Sequence, residues 1–423
     1  MPPDTSLKAW LARLEQLHPQ NIELGLDRVR RVALALNLKP EFPIIIVGGT
    51  NGKGSTCAYL EAMLGVAGYK TGLYTSPHLL RYNERVRIAG QDSTDADLID
   101  AFERIDDARG ETSLTYYEFG TLGAMLQFVD ASVDVAILEV GLGGRLDAVN
   151  IFDADAAIVT SVDLDHQQYL GDTRELIGFE KAGIYRAHRP ALCADPDPPA
   201  SLLAHIAALK AEGWLISRDF NLEITPQSWT YRGRDWLLQD LPLPQMAGMH
   251  QMRNAAGAIA ELEALQAILP VDRSAMAQGL GQAQVAGRFQ RIASAPEIVL
   301  DVAHNPEAAR ALAATLQALP VSGRTWAVFG ILADKDVAAV IDALAPRFDG
   351  WFVCTPDSPR ALAASALVAQ LRLQLAEGQI TLCATPQDAL ENALNQAAVD
   401  DRIVAFGSFY TVAAVLQHAR SRQ

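Results

Sequence analysis

The sequence predicts an α/β protein of two domains. The first is a phosphate-loop domain on a parallel sheet, with a small inserted β-hairpin or sheet; the second is a C-terminal Rossmann-like α/β domain. Three observations predict this. Apolar runs of strand length alternate with helix-length stretches, the rhythm of a parallel sheet covered by helices. A glycine-rich turn joins the first such strand to the first long helix, at the strand end where open α/β sheets take their ligands. A second run of the same rhythm follows a break in character before residue 297, and a chain of 423 residues suits two domains.

Taken in order, a short helical lead-in ends near Pro40. Residues 42–47 are a strand-like apolar run, and residues 55–66 a helix with Leu60, Met63 and Leu64 on one face. Gly68 is placed to end that helix. Residues 71–75, 133–140 and 156–161 read as further strands. Between 220 and 240, Trp229, Tyr231, Trp236 and Leu238 alternate around Arg232-Gly233-Arg234, which reads as a β-hairpin. The alanine-rich stretch 254–269 reads as helix. The first domain is therefore expected over 1–288, with residues 289–296 as a linker. The second domain, 297–423, is expected to hold strands at 298–302, 326–330, 351–355, 380–384 and 403–406, with helices such as 306–319 between them. There is no short internal repeat and no low-complexity tract.

Composition narrows the function classes. Lys and Arg total 35 against 50 Asp and Glu, a net charge of −15. A general nucleic-acid binder needs a basic surface to displace counterions, so that class is disfavoured. Small anionic substrates remain compatible, because a few placed cations make a positive pocket on an acidic protein. Cys57, Cys193, Cys354 and Cys383 are too far apart in sequence to suggest a metal knuckle or redox pair. The N-terminus, with Lys8, Arg13 and Glu15, lacks a signal-peptide pattern, and no apolar run reaches the ~18 residues of a membrane span. A cytoplasmic protein without a membrane or nucleic-acid partner is expected; composition does not set its oligomeric state, for which a monomer is taken.

The motif that carries chemistry is Gly48-Gly49-Thr50-Asn51-Gly52-Lys53-Gly54-Ser55. Small residues between a buried strand and a helix let backbone N–H groups wrap a phosphate chain, and the helix N-terminus adds a favourable dipole. Lys53 would neutralise charge on the outer phosphates. The loop departs from the usual G-x-x-x-x-G-K-[ST] spacing: Val47 takes the first glycine place, and Gly54 intervenes between Lys53 and Ser55. The plain alternative is a tight turn that merely joins a strand to a helix, but glycine and hydroxyl residues gathered around one lysine in this context are hard to explain by packing. Glu139 ends the apolar run 135–138, where a carboxylate is costly unless it is paired or bound to a cation. His166 follows another such run in Asp163-Leu164-Asp165-His166. A magnesium site near the loop is geometrically plausible, although a hydrogen-bonded loop histidine explains His166 as well, since histidine is an unusual magnesium ligand.

The same loop, with residues 21–28 (NIELGLDR), 76–88 (SPHLLRYNERVRI), 139–150 (EVGLGGRLDAVN), 301–306 (DVAHNP) and 407–411 (GSFYT), resembles the folate branch of the Mur ligase superfamily across nearly the whole chain. The resemblance implies an ATP-dependent carboxylate–amine ligase. Its substrates would be ATP, L-glutamate, dihydropteroate and reduced folates, and its product an amide formed through an acyl phosphate. It implies Mg²⁺, two ions, held by Ser76, Glu139 and His166, a possible K⁺, and a carbamate on Lys181. ATP would be met by Thr50, Asn51, Gly52, Lys53, Gly54, Ser55, Asn254, Arg288 and Asp301. Asn254 is read as opening its helix and facing the adenine, and Arg288 as a linker residue. Lys53, Lys181 and His304 would serve the reaction, with Asn305 nearby. The pterin-bearing acid would be met by Asp27, Arg28, Thr115, Tyr116, Tyr117, Glu118, Leu146, Asp147 and Ala148; helix packing is the plain alternative for the aromatic pair.

Rival readings are distinguishable. About 47 residues precede the loop, short of the ~50 that a separate nucleotide-sugar domain would need, which disfavours a cell-wall Mur ligase. The nearest rival within the class is a folylpolyglutamate synthase without dihydropteroate activity, which ATP turnover with dihydropteroate compared with tetrahydrofolate would separate. A GTP-binding switch would carry N-K-x-D, and the nearest string, Ala333-Asp334-Lys335-Asp336, lacks the asparagine. No GxSxG elbow suggests a hydrolase.

Overall fold

In the computed structural model the apolar runs assemble into sheets, and residues 6–20 and 22–422 are described. Asn21, the first residue of the 21–28 motif, lies outside them. The strands of the first sheet are β1 (Ile44–Gly48), β2 (Thr71–Tyr74), β3 (Val86–Ile88), β4 (Gln91–Asp92), β5 (Val135–Glu139), β6 (Ala156–Val159), β7 (Pro190–Cys193) and β8 (Glu212–Leu215). Their order is β4-β3-β2-β5-β1-β6-β7-β8. All pairings are parallel except β2–β3 and β3–β4 at one edge. Central β1 is buried along its whole length, as expected of a strand with helices on both faces, which reads as a continuous apolar run.

The insertion expected as a hairpin has a third strand. β9 (Asn221–Ile224), β10 (Ser228–Arg232) and β11 (Leu237–Pro242) form an antiparallel sheet in the order β11-β10-β9. Its alternation buries Trp229 and Tyr231, and the Tyr231 hydroxyl donates to Glu263 Oε2 at 2.6 Å. β9 was invisible to pattern reading because three of its four residues are exposed.

By contacts the chain forms two units, Met1–Gln245 with Met252–Ala283, and Met246–Gln251 with Gln284–Gln423. The second unit holds β12 (Gln290–Ser294), β13 (Glu297–Leu300), β14 (Thr325–Phe329), β15 (Gly350–Val353), β16 (Ile380–Leu382) and β17 (Arg402–Phe406), in the order β12-β13-β17-β14-β15-β16. Residues 289–296, expected as a linker, contain β12, which pairs antiparallel with β13 and makes this sheet mixed. The reason is that the break in apolar rhythm marks a sheet edge: β12 is nowhere fully buried. A core of Trp351, Phe329, Phe348 and Phe406 packs in this unit, with Phe329 and Phe406 stacked at 4.8 Å between ring centroids. Among the described residues no helix is long and apolar enough to cross a membrane.

Candidate active site

Strand register brings the first candidates together. Val47 lies opposite Glu139 on β5, and Gly48 opposite Val159 on β6. The loop after β1 therefore emerges between the ends of both neighbours. It is clasped by the turn after β6: Thr50 N donates to Ser161 O at 2.8 Å, Thr50 Oγ1 donates to Asp163 O at 3.1 Å, and Asp163 N returns a bond to Thr50 Oγ1 at 3.0 Å. Asn51 N donates to Ser161 Oγ at 3.1 Å. Thr160, Ser161 and Asp163 were not singled out from sequence; the polar turn directly after an apolar strand was the signal available.

Glycine is required at two loop positions. Gly49 has φ +143°, and a Cβ there would lie 1.9 Å from Thr160 Oγ1; Gly52 has φ +86°, and a Cβ would lie 2.4 Å from Asn254 Oδ1. Asn254 is buried against the loop. It does not open its helix, because that helix runs Met249–Ala264 and places Asn254 in the second turn. Lys53 opens the helix Lys53–Val66 and donates from Nζ to Gly49 O and Thr50 O at 3.0 and 3.1 Å. Its ammonium thus sits in the curl of the loop.

Glu139 faces the start of the same helix: a Cβ on Gly54 would lie 3.8 Å from each of its carboxylate oxygens. Ser76 N donates to Glu139 Oε2 at 3.1 Å, and the Tyr117 hydroxyl donates to the Glu139 carbonyl at 3.1 Å. Ser55, in the first helical turn, has a buried Oγ with no hydrogen-bond partner. Burial, then the Glu139 charge, pushes the Cys57 thiol up. A carboxylate, serine oxygens and space at a helix N-terminus fit a hard divalent cation that takes its remaining ligands from phosphates and water. Among the described residues no three His, Cys, Asp or Glu side chains make a protein-only metal cage. His166 is half-buried after β6 with φ 49°, its Nε2 3.9 Å from Asp165 Oδ2.

Lys181 is buried in the last turn of the helix Arg174–Ala182. That turn lies on the loop after β5: a Cβ on Gly144 would meet Glu180 O and Lys181 O at 2.8 and 2.9 Å, and Arg145 pairs with Glu180 at 2.8 Å. Buried Asp147 and its neighbour Ala148 lie in this loop, beside half-buried Leu146. The Asp147 carboxylate accepts from Leu142 N at 2.8 Å and Val149 N at 3.1 Å, so it shapes the loop. Burial raises its pKa to about 6 against those backbone bonds.

Thr115 and Glu118 form a capping box on the helix Tyr116–Asp130, with Glu118 Oε2 accepting from Thr115 N at 2.8 Å. Glu118 Oε1 accepts from Arg28 Nη2 at 3.2 Å. Arg28 and exposed Asp27 stand in the first turn of the helix Asp27–Ala35. Tyr116 and Tyr117 are half-buried. Tyr117 packs 5.8 Å from Tyr74, and Tyr116 packs 5.6 Å from Tyr82 with the Arg85 guanidinium 5.3 Å over its ring. Through Tyr117 this segment adjoins Glu139.

The second unit gathers its own candidates. Asp301 accepts from Phe289 N and Ala303 N at 2.9 and 2.8 Å; burial raises its pKa and the Arg288 charge opposes that. Arg288 lies 5.9 Å from the Phe409 ring, and the His304 ring 6.1 Å from it, with His304 Nδ1 2.7 Å from Val302 O. Asn305 caps the helix Pro306–Ala318, accepting from Ala308 N at 2.9 Å.

A phosphate loop, an acidic metal-type site and a separate α/β unit define an ATP-dependent carboxylate–amine ligase. Residues 47–262 match the Mur ligase middle domain, and residues 287–409 the Mur ligase glutamate ligase domain. The dihydrofolate synthase/folylpolyglutamate synthase of Escherichia coli is 43% identical over 99% of this chain and 96% of its own. E. coli FolC in complex with DHPP and ADP superposes with TM-score 0.94 at 42% identity, covering 99% and 98% of the two chains. A bifunctional folylpolyglutamate synthase/dihydrofolate synthase with Mn, AMPPNP and L-glutamate bound superposes with TM-score 0.91 at 42% identity, covering 99% and 100%. The chain belongs to the dihydrofolate synthase/folylpolyglutamate synthase family of Mur ligases.

Proposed function

We infer that this enzyme joins L-glutamate to dihydropteroate, giving dihydrofolate, and adds further γ-linked glutamates to reduced folates. The observation that carries this reading is the Glu139 carboxylate at the N-terminus of the phosphate-loop helix, adjoining the 115–118 segment through Tyr117. The acid's carboxylate attacks the γ-phosphorus of ATP, releasing ADP and forming an acyl phosphate. The glutamate amine attacks the acyl carbon. The tetrahedral adduct then expels phosphate, and the amine proton leaves to solvent or phosphate. Such catalysis rests on placing reactants and stabilising charge.

The loop N–H groups and Lys53 bind and orient the phosphates. Thr50 and Asn51, clasped to the turn after β6, hold the loop's curvature. A divalent cation, when bound, supplies charge neutralisation on the phosphoryl group; Ser76, Glu139 and His166 are its proposed protein ligands, with Ser55 close by. Thr115–Glu118, Asp27, Arg28 and Leu146–Ala148 are the proposed dihydropteroate contacts. Arg288, Asp301 and His304 are the second unit's candidates for nucleotide and acyl-transfer contacts.

The test is ADP release that depends on both dihydropteroate and glutamate. Glu139→Ala is expected to lower it by at least ~100-fold, in the range of a lost charge-stabilising group. Retained activity would remove Glu139 from the metal site. Finer parts of the proposal are two magnesium ions, a potassium ion, a monomeric state and a Lys181 carbamate. Carbon-13-labelled bicarbonate should give a carbamate resonance that Lys181→Ala loses. A reducing compartment such as the cytoplasm accords with four buried free cysteines.

A further inference from the structure

A chain of polar contacts leads into the 115–118 segment from residues no motif pointed to. His18, just after the helix Leu7–Leu17, is buried. Its Nδ1 lies 3.0 Å from Ser113 Oγ and its Nε2 2.7 Å from Glu23 Oε2. The other carboxylate oxygen of Glu23 pairs with Arg28 Nη1. Arg28 Nη2 then bridges Glu23 O at 3.0 Å and Glu118 Oε1 at 3.2 Å. Arg28 Nε is buried without a hydrogen-bond partner, so the two carboxylates and one carbonyl on the Nη edge set the guanidinium plane. Nε2–H donates to the Glu23 carboxylate, and Nδ1 faces the Ser113 hydroxyl. The His18 bond, helped by the Arg28 charge, holds the Glu23 carboxyl below its ordinary range.

We propose that His18 and Glu23 are positioning residues of the acid-substrate subsite, holding Arg28, and through it Glu118, in the orientation that receives dihydropteroate. This rests on the reading that Arg28 and Glu118 line that subsite. The geometry argues for it because, among the described residues, the Arg28 guanidinium bonds only to Glu23 and Glu118. Loss of Glu23 would leave a largely buried guanidinium free to turn, and Glu118 would lose a defined neighbour.

The test compares full-length wild type with His18→Ala, His18→Gln, His18→Asn and Glu23→Gln. Wild type lacking dihydropteroate-dependent ADP release would overturn the functional reading; failure of the present inference shows only in the variants. His18→Ala and Glu23→Gln are expected to raise KM for dihydropteroate about tenfold and KM for ATP by less than about two-fold, the pattern of lost ground-state binding. Glutamine reaches with its amide nitrogen to where Nε2 stood, and asparagine to where Nδ1 stood. His18→Gln should therefore restore KM and His18→Asn should not. Equal rescue by both, an unchanged KM for dihydropteroate, or an equal rise in KM for ATP overturns the proposal. Should His18→Ala fail to fold, Glu23→Gln, at a part-exposed side chain of nearly unchanged size, decides it.

Discussion

Gly52 shows how one residue can be committed twice. Its φ of +86° disfavours any Cβ, and the same Cβ would press on Asn254. Gly52→Ala is expected to cost about 1–3 kcal/mol from backbone strain alone. It should also weaken nucleotide binding, read by denaturant melts and ADP titration together; intact binding would show that the loop tolerates a shift. Asp147 makes a different statement. Its pKa is raised to about 6 in the folded state from 3.8, so the native state holds its proton to higher pH than the unfolded chain. Stability from this group is therefore lost as pH rises between those values. The difference in unfolding free energy, wild type minus Asp147→Asn, should fall by about 2 kcal/mol from about pH 4 to about pH 7. A flat difference would mean that the Leu142 and Val149 amides offset the burial.

The most plainly legible elements were central strands with two buried faces. β1, β5 and β6 read as strands because parallel strands under helices are apolar throughout, and each appeared within a few residues of its expected place. β4, β8, β9 and β12 escaped because edge strands expose one face and dilute the pattern, and β3, only three residues long beside that edge, escaped with them; β7, although buried, was also not read. The helix Met249–Ala264 was expected at 254–269 because alanine composition marks helix but not its ends. That helix also holds Glu261, fully buried, with neither carboxylate oxygen hydrogen-bonded. Burial alone raises its pKa well above 4.5. Glu261→Met should stabilise the protein by roughly 1–3 kcal/mol, the cost of a buried unsatisfied polar group. Because the folded pKa is raised, the gain should be larger at about pH 8 than at about pH 5 in urea unfolding. A loss of stability would show that the carboxyl makes a needed contact.

For the molecule as a whole, the acidic balance of −15 leaves anion binding to local geometry, and a divalent cation is the natural complement. Removing metal with a chelator should abolish ADP release, and added Mg²⁺ or Mn²⁺ should restore it; turnover in its absence would contradict the proposed charge neutralisation. The sequence by itself determined the fold class, the phosphate loop and the family, because strand-length apolar runs and contiguous motifs are local signals. The loop from Gly48 to Ser55, with Gly54 after Lys53, needed no neighbours to be read. Sequence named Glu139 only as a costly buried carboxylate and through the resemblance; the tertiary structure brings it to that loop. Glu139 is far from it in the chain and reaches it through the β1–β5 register. The same holds for the Thr50–Ser161–Asp163 clasp and the route from His18 to Glu118. Each joins residues whose contact depends on pairing across a sheet or between helices, and no local pattern encodes that distance.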